Sequence, residues 1–130
     1  MKKIYLLAIS LALVVLTGCK STIPVPQYVD QPVAQHNAST STVKDVERSI
    51  VRAAASLGWK TKVRSEGEIL ATLDIRKHQL VILIKHDDKN LTVNYQSSIN
   101  LKYDGQNIHR QYANWVTRLL RAIDVQNLTK

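Results

Sequence analysis

Several residue types are scarce in this 130-residue chain, and each scarcity narrows the chemistry. Cysteine occurs once, as Cys19, leaving its sulfur as a nucleophile, a metal ligand, half of a disulfide or something else. Proline occurs three times, always between Lys20 and Thr42. Acidic residues number ten against 18 lysines and arginines, and many of them fall at turns or caps. Glu66 and Glu68 flank Gly67 on a hairpin rim, where a general acid would lack the burial that raises a carboxyl pKa. The histidines His36, His78, His86 and His109 show no HExxH or i, i+4 metal spacing, and no serine sits in a Gly-x-Ser-x-Gly turn. The expectation is a protein without catalytic activity, metal or cofactor.

Long apolar runs are also short here. Ile4 to Thr17 is an uncharged run of 14 residues; as a helix it would measure roughly 21 Å, against roughly 30 Å of hydrocarbon in a bilayer. Preceded by Met1-Lys2-Lys3, it has the layout of a secretory leader rather than a permanent span.

Leu16-Thr17-Gly18-Cys19 closes that leader and resembles the lipobox of bacterial lipoproteins, with Leu three positions and a small residue one position before the cysteine. The resemblance implies cleavage after Gly18, a diacylglyceryl group on the Cys19 sulfur and acylation of the new amine. Lys20, standing where an Asp would favour the inner membrane, implies the outer membrane; the domain is expected on its periplasmic side, an orientation that Lys20 does not itself decide. Each buried methylene contributes about 0.8 kcal/mol, so two or three acyl chains hold a protein on a membrane. With its sulfur acylated, the mature chain has no thiol, which excludes disulfides, thiolate catalysis and Cys-ligated metal.

Loss of residues 1–18 removes Lys2 and Lys3 and no acid, taking the formal charge from +8 to +6. That balance favours anionic partners: lipid head groups, the phosphates of an anionic glycolipid, or an acidic envelope protein. Nucleic acid is not an expected partner for an exported, tethered chain. Residues 19–42 hold all the prolines among Ser, Thr, Gln and Asn without an apolar period, and read as a flexible linker.

Periodicity begins at Thr42. Thr42 and Asp45 form a capping box, and Val43, Val46, Ile50, Ala53, Ala54 and Leu57 follow at helical spacing up to Gly58, predicting a helix over Val43 to Leu57. The period then becomes two. Trp59, Thr61 and Val63 form one strand; Ile69, Ala71, Leu73 and Ile75 a second; Leu80 to Ile84 (LVILI) a third, central one. Leu91 to Tyr103 keeps one alternating phase, so the fourth strand is long, or bends or changes partner near Ser97-Ser98. Asn107 is expected to cap a second helix, with Ile108, Tyr112, Trp115, Val116, Leu119, Leu120 and Ile123 as its apolar face. The predicted domain spans residues 43–128 as a two-layer α+β fold. A four-stranded antiparallel meander carries both helices on one face, in the order α-β-β-β-β-α.

Leu57-Gly58-Trp59, Ile69-Leu70-Ala71, Tyr95-Gln96-Ser97-Ser98 with Leu101 and Tyr103, and Ile108-His109 with Tyr112 and Trp115 resemble the carboxy-terminal domain of small proteobacterial outer-membrane lipoproteins. That resemblance supports the domain boundary and implies no activity or site. Two candidate surfaces follow from the residues. With Ile69, Ala71, Leu73 and Ile75 facing the helices, Leu70, Val81 and Leu83 form an apolar patch on the outer sheet face, flanked by Lys60, Lys62, Arg64, Arg76 and Lys85, as at protein contacts. This predicts a non-catalytic binding or scaffolding module for another envelope component. The alternative is a pocket between helices and sheet, lined by Trp59, Tyr95, Tyr103, His109, Tyr112 and Trp115, for a small ligand or an anionic head group.

Overall fold

The computed structural model describes residues 21–36 and 41–129. The leader, the cleavage site and Cys19 lie outside them. In chain order the elements are β1 (Thr22–Pro24), β2 (Tyr28–Pro32), α1 (Val43–Ser56), β3 (Trp59–Ser65), β4 (Glu68–Ile75), β5 (His78–His86), β6 (Asn90–Ile99), β7 (Asn107–His109) and α2 (Gln111–Leu128). The fold is α+β. An antiparallel sheet of order β2-β6-β5-β4-β3 carries both helices on one face, and β1 pairs separately with β7.

Helix α1 starts as its capping box dictates. The Asp45 N–H donates to Thr42 Oγ1 at 3.1 Å and the Thr42 N–H to Asp45 Oδ2 at 2.9 Å, satisfying two amides that no helical carbonyl can reach. It stops because Gly58 takes φ +86° while its N–H returns to the Ala55 carbonyl. Val46, Ile50, Ala53 and Ala54 are fully buried against the sheet and α2. Strands β3 to β6 form the expected meander. On the helix side it presents Ile69, Ala71, Leu73, Leu80, Ile82, Ile84, Leu91 and Val93, all buried.

The fifth strand comes from the segment expected to be a linker. Residues 21–36 lie along the domain: β1 pairs with β7, β2 pairs with β6, and Val33 is buried with its N–H on the Lys89 carbonyl. Proline is compatible with this because both strands are edges, where a missing N–H leaves no ladder bond unmade. Low apolar content misled because an edge strand is held by backbone bonds and a few anchors, here Val25, Tyr28 and Val33. The bulged, five-residue β2 at one edge and the lysines of β3 at the other are features that disfavour further strand pairing at a sheet edge.

Two boundaries also differ from expectation. A register shift opposite Val81 and Ile82 adds one residue, Gln96, to β6. Tyr95 precedes it facing the helices, and the phase then slips, so Ser98 points inward and Ile99 lies 59% exposed. At the other boundary, Asn107 does not cap α2. Residues 107–109 form β7, and α2 begins at Gln111 without a side-chain cap from Arg110; instead the Gln111 N–H donates to His109 Nδ1 at 3.1 Å.

A buried polar cluster closes the far end of the domain. Asn127, fully buried on α2, donates to the Ala34 carbonyl at 2.7 Å and to Ser41 Oγ at 3.0 Å, and accepts from Ser49 Oγ at 3.0 Å. Asp124 Oδ1 accepts the Ala34 N–H at 2.9 Å. These bonds pin the N-terminal segment onto both helices.

Candidate functional site

Helices cover one face of the sheet, so the other face is the first candidate surface. Register places Lys62, Leu70, Leu83 and Asn94 in one row across β3 to β6, and Lys60, Thr72, Val81 and Ser97 in the next. Leu70 and Val81 are half-buried. Leu83, in the middle, is only 9% exposed although it lies outside the core cluster. Its neighbours on the bare face shield it, so the apolar patch is a narrow strip rather than a broad plateau. Lys60, Lys62 and Arg64 project along exposed β3, with Lys85 beyond Glu68 on β5. None of these four cations forms an ion pair among the described residues. Arg76 sits apart, in the β4–β5 turn at φ +53°. The face therefore carries a cationic margin beside a short leucine and valine strip.

The six residues expected to line one pocket do not meet in one place. Trp59 is buried under α1, 4% exposed, and makes no ring contact with the other five among the described residues. Tyr95, Tyr103 and Tyr112 gather with Tyr28 from the N-terminal segment: ring centroids are 4.1 Å apart for Tyr95–Tyr103, 6.2 Å for Tyr95–Tyr112 and 6.3 Å for Tyr28–Tyr112. The Tyr95 hydroxyl meets Ser98 Oγ at 2.6 Å, an outlet that the β6 bulge provides by turning Ser98 inward. Burial, reinforced by Tyr28 and Tyr95, pushes the Tyr112 phenol well above its ordinary pKa, so it stays a neutral packing group. Tyr95, Tyr103 and Tyr112 border a cleft of about 260 Å³.

His109 and Trp115 form the other group, around a residue the sequence reading had not placed there. His78, at the start of β5, lies 6.4 Å from the His109 ring and 6.1 Å from Trp115. Together with Ile75, Arg76 and Arg118 they line an open cleft of about 440 Å³ at the end of the sheet. Both rings are fixed by hydrogen bonds. His78 Nδ1 lies 2.7 Å from the Asn100 carbonyl, which makes it the protonated nitrogen, whereas His109 Nδ1 accepts from Gln111 and leaves Nε2 as a donor. Sequence spacing could not reveal this group, because 31 residues separate His78 from His109 and only the β7 turn brings them together.

A third cleft, of about 360 Å³, opens at the opposite sheet end between the Glu66–Gly67 and Asp87–Asn90 turns. His86 Nε2 is buried there without a partner among the described residues. Asp87 is engaged in its own turn: the N–H groups of Asn90 and Lys89 hold its carboxyl below the ordinary range. Among the described residues no three His, Cys, Asp or Glu side chains are grouped to hold a metal ion, and no helix is long and apolar enough to cross a membrane. No protein family, curated protein or solved structure matches the chain.

Proposed function

We propose that the chain is an envelope lipoprotein, held on the outer membrane by acyl chains on Cys19, whose domain works without catalysis as a binding module for another envelope component. The observation that carries the binding role is the sheet covered on one face only. Its bare face offers Leu70 and Val81 beside the unpaired Lys60, Lys62 and Arg64 of β3, with Lys85 next to Glu68 at one end, a small apolar strip with a cationic margin along β3 suited to an acidic protein surface.

The test has two readouts. Palmitate labelling in growing cells should mark the wild type and leave Cys19→Ala unlabelled; label retained by that variant would remove the anchor. For the surface, a photo-crosslinker at Lys62 or Leu70 should yield a discrete adduct in intact cells, lost in a Leu70→Glu, Lys60→Glu, Lys62→Glu variant with wild-type melting. Equal adducts from a crosslinker at Ala113 on α2 would remove the outer face as the binding surface.

A further inference from the structure

We propose that the cleft between the β4–β5 turn and the start of α2 binds the phosphate of an anionic lipid head group in the membrane that carries the anchor. The inference rests on anchoring through Cys19 and assigns the domain a second, membrane-facing contact.

Charge together with an imidazole donor and an apolar wall selects this cleft, since the cleft on the outer side of α2 also holds two arginines, Arg118 and Arg121, and no carboxylate, but has neither a histidine nor an aromatic ring. Arg76 and Arg118 reach it from the turn and from α2, and neither guanidinium forms an ion pair or hydrogen bond among the described residues. No carboxylate lines it, whereas Glu66, Glu68 and Asp87 border the cleft at the opposite end, and the tyrosine cleft has no charged lining. His109 adds the Nε2–H that its bond from Gln111 leaves free to donate. Two guanidinium forks and an imidazole donor can saturate the two non-bridging oxygens of a head-group phosphodiester, which guanidinium groups bind in pairs of parallel bonds. Ile75 and Trp115 supply an apolar wall of the kind a glycerol backbone and the first methylenes of an acyl chain would lie against.

Position selects the ligand. The Ser21 carbonyl accepts the Arg110 N–H at 3.0 Å, and Thr22 pairs with His109, a wall of the cleft. Only Lys20 stands between Cys19 and Ser21, so their Cα atoms can be at most about 7 Å apart. An anchored Cys19 therefore brings the cleft to the head-group layer. Lys102, whose Nζ donates to Ser21 Oγ at 3.1 Å, stands at that end, and a cation this near an anionic leaflet is drawn to it.

The test uses the full chain in a neutral sugar detergent, titrated with glycerol 3-phosphate and followed by amide and indole NMR. Saturable shifts should concentrate at His109, Gln111 and Trp115. Arg76→Gln with Arg118→Gln should weaken them at least tenfold without changing the rest of the spectrum. The same protein in nanodiscs should show the same shifts when phosphatidylglycerol is added to phosphatidylcholine. Shifts that are absent, that map to Lys60 and Lys62, or that survive the double variant would overturn the site; shifts from glycerol 3-phosphate but none from phosphatidylglycerol would overturn the lipid as its source. Acylation is read separately from the mass of the N-terminal fragment. An acylated protein with a silent cleft refutes this proposal alone, and an unacylated protein refutes the anchor while the titration still reports on the cleft.

Discussion

Asn127→Ala should be among the most damaging single substitutions outside the apolar core. The wild-type amide makes three hydrogen bonds in a fully buried position, to Ala34, Ser41 and Ser49. Ser49 Oγ keeps its bond to the Asp45 carbonyl at 3.0 Å after truncation, so its loss is small. The Ala34 carbonyl has no such reserve but is only partly buried, so its orphaning falls toward the low end of the about 1–3 kcal/mol that an unsatisfied acceptor costs, with each ordinary bond removed adding about 1 kcal/mol. A loss of about 2–4 kcal/mol follows, equivalent to a fall in Tm of roughly 10–20 °C for a domain of this size. Urea unfolding measures the total. Hydrogen exchange at Val33 and Ala34 supplies the specific signature, because those amides hold the N-terminal segment against Lys89 and Asp124. They should exchange faster by more than amides of β5 at the centre of the sheet. A loss below about 0.5 kcal/mol, the ordinary range for a surface change, or unchanged exchange at Val33 and Ala34, would refute the idea that Asn127 locks the segment.

Other outcomes follow from the same geometry. Gly67→Ala should cost about 2–4 kcal/mol in urea unfolding, because its Cβ would stand 2.7 Å from the His86 carbonyl oxygen at φ +77°, whereas Gly58→Ala at φ +86° meets no atom within 4 Å and should lose only the left-handed strain, about 1–2 kcal/mol; equal losses would contradict this. Leu83→Ala should cost about 2–3 kcal/mol and Leu70→Ala clearly less, since Leu83 is the buried member of the outer strip; a reversed order in chemical denaturation would show the strip is shielded differently. The N–H groups of Asn107 and Gln106 hold Asp104 below the ordinary carboxyl value of 3.8, as those of Asn90 and Lys89 hold Asp87. Folded values lower than unfolded ones mean that both turns stabilise the fold above pH 3.8 and lose that contribution as pH falls through the depressed pKa. NMR titration of the Asn90 and Asn107 amides should give midpoints under 3.8; higher midpoints would rule this out.

Much of the architecture was readable from residues alone, for identifiable reasons. Helix α1 announced itself through a capping box and an apolar stripe, and β4 through strict alternation, because local hydrogen bonding and a period of two leave marks within a few residues. The Gln96 bulge left none: Leu91 to Tyr103 alternates unbroken in sequence while a single inserted residue reverses which half faces the core. Strands β1 and β2 were missed because their pairing is long-range and runs through the backbone, with Tyr28 opposite Val93 and Ile23 opposite Ile108. Asn107 is a residue type that favours helix caps, yet Asp104 claims its N–H at 2.7 Å, closing the turn that leads into β7, of which Asn107 is the first residue. Of the candidate surfaces, the outer face was legible because β4 alternates and the continuous apolar run of β5 leaves apolar groups on either face. The grouping of Arg76, His78, His109 and Arg118 was not, since three separate elements supply it.

The N-terminal segment also sets how the domain bears force. Between Ser21 and Ala34 the chain is fastened at successive points, to Arg110, β7, Gln106, β6, Lys89 and Asp124. A lipid-anchored chain would have no slack to absorb a tug between the membrane and whatever the domain holds. Load entering at Ser21 would fall first on the short β1–β7 ladder, and drawn along the strands it would shear several bonds together instead of peeling them singly. If the anchor proposed above holds, such a domain would behave as a bracket bolted near the leaflet, and the distance over which it could engage a partner would be set chiefly by its own height.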